Sequence, residues 1–329
     1  MSQETGSRGV TDARRTAGAL TIAAALGVVS ISASRSMPPM QDAPPLVHVN
    51  ADRLPWRTEP NASVRHQRLV GPDAGAIPRG DLRIHRLALE SGQGVAARSH
   101  RVPEIHFIAA GAATWTIDNE QFSATPDTAV FVPPGATHTF IATGSDDLLA
   151  IAYRWAPGGD QEALHAGSTM TDDVPDYSSR PTTETLTRYQ ASTEASDRLH
   201  VRSVDVAWTT NWTYSESLWR VYRYKPLVRS ALANWPGVTR DDVRMGLQML
   251  DVGAAYPTHF HPSPEVYVML DGHARWIVDG RGIDAGPGTT IHTPPNATHR
   301  IENVGEGPLR WLYFWWAPNG NVRAFDPGS

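Results

Sequence analysis

The 329-residue chain contains no cysteine, which rules out disulfide bonds, thiolate metal ligands and a cysteine nucleophile. It has no marked basic run, and a formal net charge of −5 argues against general nucleic-acid binding. The apolar run Ala17–Val29 is shorter than the roughly 20 residues that a membrane-spanning helix needs. Neither nucleic acid nor a stable membrane span is therefore expected.

The first 62 residues differ in composition from the rest. Arg14 and Arg15 precede the apolar run, and small residues around Ser30 to Ser34 suit a cleavage site, so residues 1–36 are predicted to be an export signal or a disordered N-terminus. A signal would place the protein in the periplasm or outside the cell, and otherwise it is expected to be cytoplasmic. Residues 37–62 are rich in proline and are predicted to be a linker.

A β-type pattern begins near Leu82 and occurs twice. Short apolar runs alternate with glycine, proline and aspartate turns, and the same rhythm returns from Val243 onward. Shifting the chain by 161 residues aligns 100–159 with 261–320 without a gap, with 21 identities in 60 pairs. Such an internal repeat predicts two copies of one β-domain.

Three histidines and one glutamate in the second copy form a candidate metal site: His259, His261, Glu265 and His299. Imidazoles and a carboxylate are ligands for a divalent transition metal, and this set suits Fe, Mn, Co, Ni, Cu or Zn without choosing among them. Side chains two apart on a strand share a face. We therefore expect these residues and Tyr267 to reach one pocket.

The spacing of these residues follows a two-part pattern, Gly253-x5-His259-x-His261-x3-Glu265-x6-Gly272 and Gly288-x5-Pro294-x4-His299-x3-Asn303. It resembles the signature of the cupin superfamily, with Asn296 where glycine is usual. Asparagine tolerates a left-handed turn better than most residues. The resemblance implies an all-β chain of two tandem cupin (jelly-roll β-barrel) domains, at 63–160 and 201–329. They would be joined by a linker or packing arm at 161–200 and short helical or coil connections, one helix being expected over 226–235.

The first copy carries a related cluster, Arg98, His100, Glu104, His106 and His138, in which Arg98 replaces His259 and His106 replaces Tyr267. A guanidinium does not lose its proton and repels a metal, although His106 offers another imidazole. Arg98 is equally suited to gripping a carboxylate. The sequence leaves open a second metal site, a second substrate site, and a barrel retained only for packing or dimerisation.

A narrower resemblance covers residues 243–317. The motifs Tyr256-Pro257-x-His259-x-His261, Glu265-x-Tyr267, Trp276 after Gly272, and Ile291-His292-x-Pro294 are similar to those of the cupin dimethylsulfoniopropionate lyases. That family implies His259, His261, Glu265 and His299 as metal ligands and Tyr267 as the essential residue. A phenol beside a divalent cation is pulled toward phenolate, which suits a base or a further ligand. Tyr256, Trp276 and His292 are candidates for the substrate pocket.

Three functions therefore stand beside each other. The first is metal-dependent elimination from a small carboxylate, giving dimethyl sulfide and acrylate. The second is a bicupin dioxygenase or decarboxylase acting on a small carboxylate or aromatic substrate, since such enzymes share the duplicated barrel. The third is a non-catalytic binding or storage protein. A homodimer is compatible with all three.

Overall fold

The computed structural model describes residues 48–58, 64–72, 75–157, 198–209, 221–229, 236–261 and 263–317. Within these ranges the chain forms 23 β-strands and two three-residue 3-10 helices, Ala51–Arg53 and Ser203–Asp205. The predicted all-β fold is confirmed. The expected export signal at 1–36 lies outside the described residues, as does nearly all of the expected arm at 161–200. Among the described helices, none is long and apolar enough to cross a membrane.

The first described strand is β1 (His48–Asn50). The strands that follow it build an N-terminal barrel. They are β2 (Arg57–Thr58), β3 (Arg65–Gly71), β4 (Ile77–Pro78), β5 (Leu82–Leu89), β6 (Gly94–Arg98), β7 (Glu104–Ala110), β8 (Ala112–Ile117), β9 (Glu120–Ala124), β10 (Thr128–Val132), β11 (His138–Thr143), β12 (Leu148–Trp155) and β13 (His200–Arg202). The larger sheet has the order β13-β10-β7-β12-β5-β3-β2, with β4 beside β3, and the smaller has the order β6-β11-β8-β9.

The second half repeats this architecture as a C-terminal barrel. Its strands are β14 (Tyr222–Arg229), β15 (Val238–Thr239), β16 (Val243–Leu250), β17 (Ala255–His259), β18 (Glu265–Asp271), β19 (Ala274–Val278), β20 (Arg281–Ala285), β21 (Thr289–Thr293), β22 (His299–Asn303) and β23 (Leu309–Trp316). The larger sheet has the order β1-β21-β18-β23-β16-β14-β15, and the smaller has the order β17-β22-β19-β20. The smaller sheets of the two barrels thus have equivalent strand orders.

Two short strands cross between the barrels. β1, within the predicted linker 37–62, pairs with β21 of the C-terminal barrel, where Ala51 N donates to Gly288 O at 3.0 Å. β13, at the predicted boundary near residue 201, pairs with β10 of the N-terminal barrel, where Ser203 N donates to Asp127 O at 2.8 Å. Each larger sheet is therefore completed by a strand that lies just before the other barrel in the chain. The predicted domain boundaries do not show this exchange.

The larger sheets face each other across an apolar core, and each barrel has a further core inside it. Two tryptophans cross the interface: Trp155 Nε1 donates to Asp242 Oδ2 and Trp316 Nε1 donates to Asp81 Oδ2, both at 2.8 Å. Each aspartate also accepts two hydrogen bonds, at 2.7–2.8 Å, from the arginine two residues before it. The ion pair satisfies the buried carboxylate, so the indole bond to it stabilises the interface.

The prediction of a short helix over 226–235 is wrong for residues 226–229, the part that the structure describes. Pro226 to Arg229 form the end of β14, and the β14–β16 register shifts between Pro226 and Val228. Proline supplies no backbone N–H to a sheet and is tolerated at such irregularities. Gly246 on β16 makes room, because a Cβ there would lie 2.1 Å from the Lys225 carbonyl oxygen. Tertiary pairing therefore overrides the preference of proline for a helix start.

We expect Tyr153→Phe to stabilise the protein. Tyr153 is fully buried between the barrels and stacks on Phe314 at 4.8 Å, and its hydroxyl has no hydrogen-bond partner among the described residues. Removing an unsatisfied buried hydroxyl should raise the free energy of unfolding by about 1 kcal/mol. Urea unfolding at constant m-value measures this. Phe314→Tyr, at the equivalent position of the other barrel, is the matched control and should lower stability. A less stable Tyr153→Phe variant would contradict the prediction.

Candidate metal centre

The four predicted ligands of the C-terminal barrel converge. His259 ends β17, His299 begins β22, and the two residues pair directly across these strands. The ligand nitrogens of His259, His261 and His299 lie within 4.8 Å of one another. Glu265, the first residue of β18, places Oε2 3.0 Å from His261 Nε2 and 3.9 Å from His299 Nε2. Loop and strand ends from both sheets thus bring three imidazoles and one carboxylate together.

Backbone carbonyls set the orientation of all three rings. Nδ1 of His259 lies 3.0 Å from Pro257 O, Nδ1 of His261 lies 2.8 Å from Ser263 O, and Nδ1 of His299 lies 3.0 Å from Ala297 O. A carbonyl only accepts, so each Nδ1 carries the proton and each Nε2 presents its lone pair to the centre. Such bonds orient metal-binding histidines. His299 Nε2 and Glu265 Oε1 are buried without a hydrogen-bond partner among the described residues, which fits a cation between them.

The electrostatics keep lone pairs available for a metal. Burial and the neighbouring His259 lower the pKa of His299 to about 3, and burial also lowers the pKa of His259. Burial opposes protonation of His261 too, but the adjacent Glu265 carboxylate outweighs it and raises the pKa of His261. His259 and His299 are therefore neutral near pH 7. When a bound cation displaces the proton of His261, the set carries the negative charge of Glu265. A divalent cation is the complement of that charge.

Asn296 shapes the loop before His299. Its φ is 61°, in the left-handed region, and the equivalent Gly135 of the N-terminal barrel has φ 80°. The expectation that asparagine would accept a left-handed turn here is confirmed. Asn296 N donates to His261 O at 2.8 Å, as Gly135 N donates to His100 O at 2.7 Å. The turn thus ties the loop of His261 to the strand of His299.

Tyr267 lies beside the carboxylate as predicted. Its hydroxyl donates a short hydrogen bond to Glu265 Oε2, and its ring packs on Trp276 at 4.3 Å. Both side chains are buried inside the barrel. Burial and the Glu265 charge hold the pKa of Tyr267 well above its usual value, so without a cation the phenol keeps its proton. Tyr256 contacts His259 edge-on at 4.7 Å, so it too lines the pocket.

Other aromatic residues at the site were missed by the sequence analysis. The ring of Trp315 stacks on that of His261, with ring centres 4.4 Å apart. The ring centres of Tyr222 and Tyr256 are 4.5 Å apart, and those of Tyr313 and Trp315 are 6.2 Å apart. Alignment of the two repeats could have identified two of them, because Tyr313 aligns with Ala152 and Trp315 aligns with Arg154. At these two positions only the C-terminal copy is aromatic.

His292 does not line the pocket, and that prediction is wrong. His292 pairs with Val266 in the β18–β21 register, and directly opposed residues of neighbouring strands share a face. Val266 belongs to the core between the barrels, whereas Glu265 and Tyr267 point inside. The alternation of the strand turns His292 toward the interface, where its ring lies 6.1 Å from that of Trp316.

The predicted residues of the N-terminal cluster also lie together, and the guanidinium of Arg154 joins them. His100 Nε2, His106 Nε2 and His138 Nε2 lie 2.6, 3.1 and 3.7 Å from Glu104 Oε2. Arg154 Nε donates to the other oxygen, Oε1, at 2.8 Å. Burial opposes ionisation of Glu104, but Arg154 outweighs it and holds the pKa of this carboxyl well below its usual range.

Arg98 occupies the place of His259. It ends β6 and pairs with His138 across β11, as His259 pairs with His299. Its guanidinium carbon lies 5.9 Å from the centre of the Phe140 ring, and the side chain is buried. The sequence identified Arg98 but missed Arg154, which lies 50 residues after Glu104 and meets it only because β7 and β12 pair.

The model of the cupin domain family matches residues 85–153 and again 246–315. The chain contains two cupin domains. Each match ends within the last strand of one barrel's larger sheet, β12 or β23, so the family repeat and the structural repeat coincide. The predicted bicupin architecture is confirmed.

Curated relatives of the bicupin match over single-domain lengths. A 71-residue stretch is 34% identical to an uncharacterized protein of Methanocaldococcus jannaschii, covering 21% of this chain and 57% of that protein. A match of the same length and identity to the glucose-6-phosphate isomerase of Pyrococcus furiosus covers 19% of this chain and 38% of that protein. The chain therefore spans about half, or less, of the relatives that it matches.

Solved structures resemble both barrels together. AerE from Microcystis aeruginosa superposes with a TM-score of 0.55 at 9% identity, over 80% of this chain and 97% of that one. The oxalate decarboxylase of Lactobacillus farciminis, in a formate complex, gives 0.58 at 15% identity over 83% and 86%. A Bacillus subtilis oxalate decarboxylase with Mn(II) centres gives 0.56 at 16% over 82% and 77%. At these identities the likeness is one of fold.

His299→Ala should release a metal that the purified bicupin contains. The substitution removes one Nε2 from the convergent set, and the remaining donors no longer surround a cation. Metal per chain, measured by mass spectrometry after gel filtration, should fall from about one equivalent to a small fraction of it. His292→Ala is the matched control, because this histidine faces the barrel interface, and it should retain full metal content. Equal metal in the two variants would contradict the assignment.

His292 should make stability depend on pH. Burial and the nearby Arg79 lower its pKa from 6.5 to about 4. As pH falls from 6.5 toward 4, the unfolded chain binds a proton at His292 before the folded chain does, so the free energy of unfolding decreases. His292→Gln should remove up to about 3 kcal/mol of that loss. Urea unfolding of both proteins across the window measures it. Parallel curves for the two proteins would disprove the role of His292.

Proposed function

We propose that the C-terminal barrel is a metal-dependent active centre for a small carboxylate, and that its reaction is a lyase-type elimination from dimethylsulfoniopropionate. The observation that supports this proposal is the convergence of three Nε2 atoms and one carboxylate next to a buried phenol. A divalent Fe, Mn, Ni, Co, Cu or Zn ion suits this donor set. His259, His261, Glu265 and His299 would hold it, and when bound it would polarise the substrate carboxylate as a Lewis acid.

Tyr267 is the proposed base. In the elimination a C–H bond next to the carboxylate breaks and its proton passes to the Tyr267 oxygen. The C–S bond breaks as the C=C bond of acrylate forms, and the electron pair of the C–S bond leaves with sulfur as neutral dimethyl sulfide. The phenol must first lose its proton to solvent, and a divalent cation held by the four ligands would favour phenolate, opposing the effect of burial. Before that loss, the hydrogen bond that the hydroxyl donates to Glu265 places the oxygen at the site.

The aromatic wall suits a cationic substrate group. Trp315 lies against His261, Tyr256 lies beside His259, and Tyr222 packs on Tyr256. Aromatic faces attract a sulfonium by about 0.5–2 kcal/mol per ring. A carboxylate at the ligand cluster and a sulfonium at these rings would hold both ends of dimethylsulfoniopropionate. The C–H bond between them would then face Tyr267.

A decarboxylase or dioxygenase acting on a small carboxylate or aromatic substrate is the second candidate. The observation that favours it is the likeness of the whole two-barrel unit to oxalate decarboxylases. Oxygen consumption, or carbon dioxide released from oxalate, distinguishes this chemistry from elimination, which needs no oxidant. A non-catalytic binding or storage protein is the third, and a purified chain without stoichiometric metal would favour it.

Tyr267→Phe tests the elimination directly. The variant keeps the ring against Trp276 and loses only the hydroxyl, so metal content should stay unchanged. Dimethyl sulfide released from dimethylsulfoniopropionate, measured in the headspace, should fall by about 100-fold or more, as expected when a base is removed. Tyr256→Phe is the matched control, because it keeps the ring that contacts His259, and it should retain most of the turnover. Undiminished turnover in Tyr267→Phe removes Tyr267 as the base.

A further inference from the structure

The N-terminal cluster differs from its C-terminal counterpart at the two positions that matter most for charge. Arg98 stands where the C-terminal barrel has the ligand His259, and Arg154 stands where it has Trp315. Both arginines are buried, with 8% and 7% of their surface exposed. Two guanidiniums therefore replace an imidazole and an indole within the same framework of strands.

A divalent metal does not fit this arrangement, although His100, Glu104 and His138 place ligand atoms within 4.8 Å of one another. Glu104 Oε1 accepts from Arg154 Nε at 2.8 Å, and Oε2 lies 2.6 Å from His100 Nε2. A cation would have to displace these contacts and remain close to two fixed positive charges.

The N-terminal cluster carries more positive charge than the C-terminal set. Burial lowers the pKa of His100 to about 4 and also lowers the pKa of His106 and of His138, so the three imidazoles are neutral near pH 7. The described side chains that meet there then carry two positive charges and one negative charge. The C-terminal set holds the charge of Glu265 and no arginine, and of its three imidazoles only His261 has a raised pKa. The same scaffold thus presents about +1 in one barrel, and zero or −1 in the other according to the proton on His261, counting formal charges.

Arg98 and His138 offer contacts that an oxyanion needs. They are paired across β6 and β11. His138 Nε2 is buried without a hydrogen-bond partner among the described residues and lies 3.7 Å from Glu104, beyond hydrogen-bond distance. His138 Nδ1 lies 3.4 Å from Ala136 O, a longer contact than the 3.0 Å of the equivalent His299, and a proton on Nε2 would let the ring donate to an anion. A guanidinium fork matches a carboxylate through two parallel N–H donors.

We propose that the N-terminal barrel is a metal-free binding site for one small carboxylate anion, held by Arg98 and the imidazole of His138. Small carboxylates such as formate, acetate or oxalate are the expected class, because one guanidinium fork pairs with one carboxylate group. The bicupin would then bind a cation in one domain and an anion in the other. This proposal is independent of the reaction assigned to the C-terminal barrel.

Sodium acetate binding, measured by calorimetry against sodium chloride at equal ionic strength, tests the proposal. The full chain with His299→Ala is used, so that no metal in the C-terminal barrel takes the carboxylate, and chelator-treated wild type serves as a second background. One acetate should bind per chain, and Arg98→Gln should weaken it at least tenfold. Arg202→Gln removes an exposed arginine of the same barrel, paired with Asp205, and should leave binding unchanged.

Metal retention controls for folding. Arg98→Gln in an otherwise wild-type chain should keep about one metal, which shows that the C-terminal barrel is intact. If this variant is unstable, Arg98→Lys replaces it, and loss of the fork should still weaken acetate binding. Three results would overturn the proposal: no acetate binding, equal binding by wild type and Arg98→Gln, or one metal still bound to the His299→Ala chain. None of these outcomes depends on lyase activity.

Discussion

Strand β18 is buried on both faces, and its side chains point alternately into two different environments. Glu265 and Tyr267 point into the barrel, where the metal ligands meet. Val266 and Val268 point into the core between the barrels. A strand placed this way cannot shift by one residue without moving the carboxylate into an apolar interface. The register of β18 with β21 and β23 therefore holds both the site and the contact between domains.

The two barrels support each other through exchanged elements. Strand β1 completes the larger sheet of the C-terminal barrel, and β13 completes that of the N-terminal barrel. Trp155 and Trp316 each donate a hydrogen bond to an aspartate across the interface. These contacts join parts of the chain that are far apart in sequence. They make the described bicupin one compact unit. Rigid sheets of this kind hold the loop of His261 and the end of β22 at fixed separation, which a metal site requires.

One scaffold carries two clusters that differ in formal charge. The carboxylate is retained in both, as Glu104 and Glu265, but its neighbours differ. In the C-terminal barrel its surroundings are imidazoles, a phenol and an indole, which leave its charge to a cation. In the N-terminal barrel Arg154 pairs with it directly at 2.8 Å. The two clusters thus differ in their charged neighbours while the strand order of the smaller sheets is the same.

The sequence by itself determined the all-β class, the duplication, the ligand set of the C-terminal barrel and the left-handed turn at Asn296. These features depend on residue type and local spacing, which a repeat makes visible. The tertiary structure alone decided the exchange of β1 and β13, the burial of Arg154 against Glu104 and the turning of His292 away from the pocket. Such features depend on which strands become neighbours and in which register. Three-residue strands and contacts between distant strands leave no periodic trace in the chain, because their partners come together only on folding.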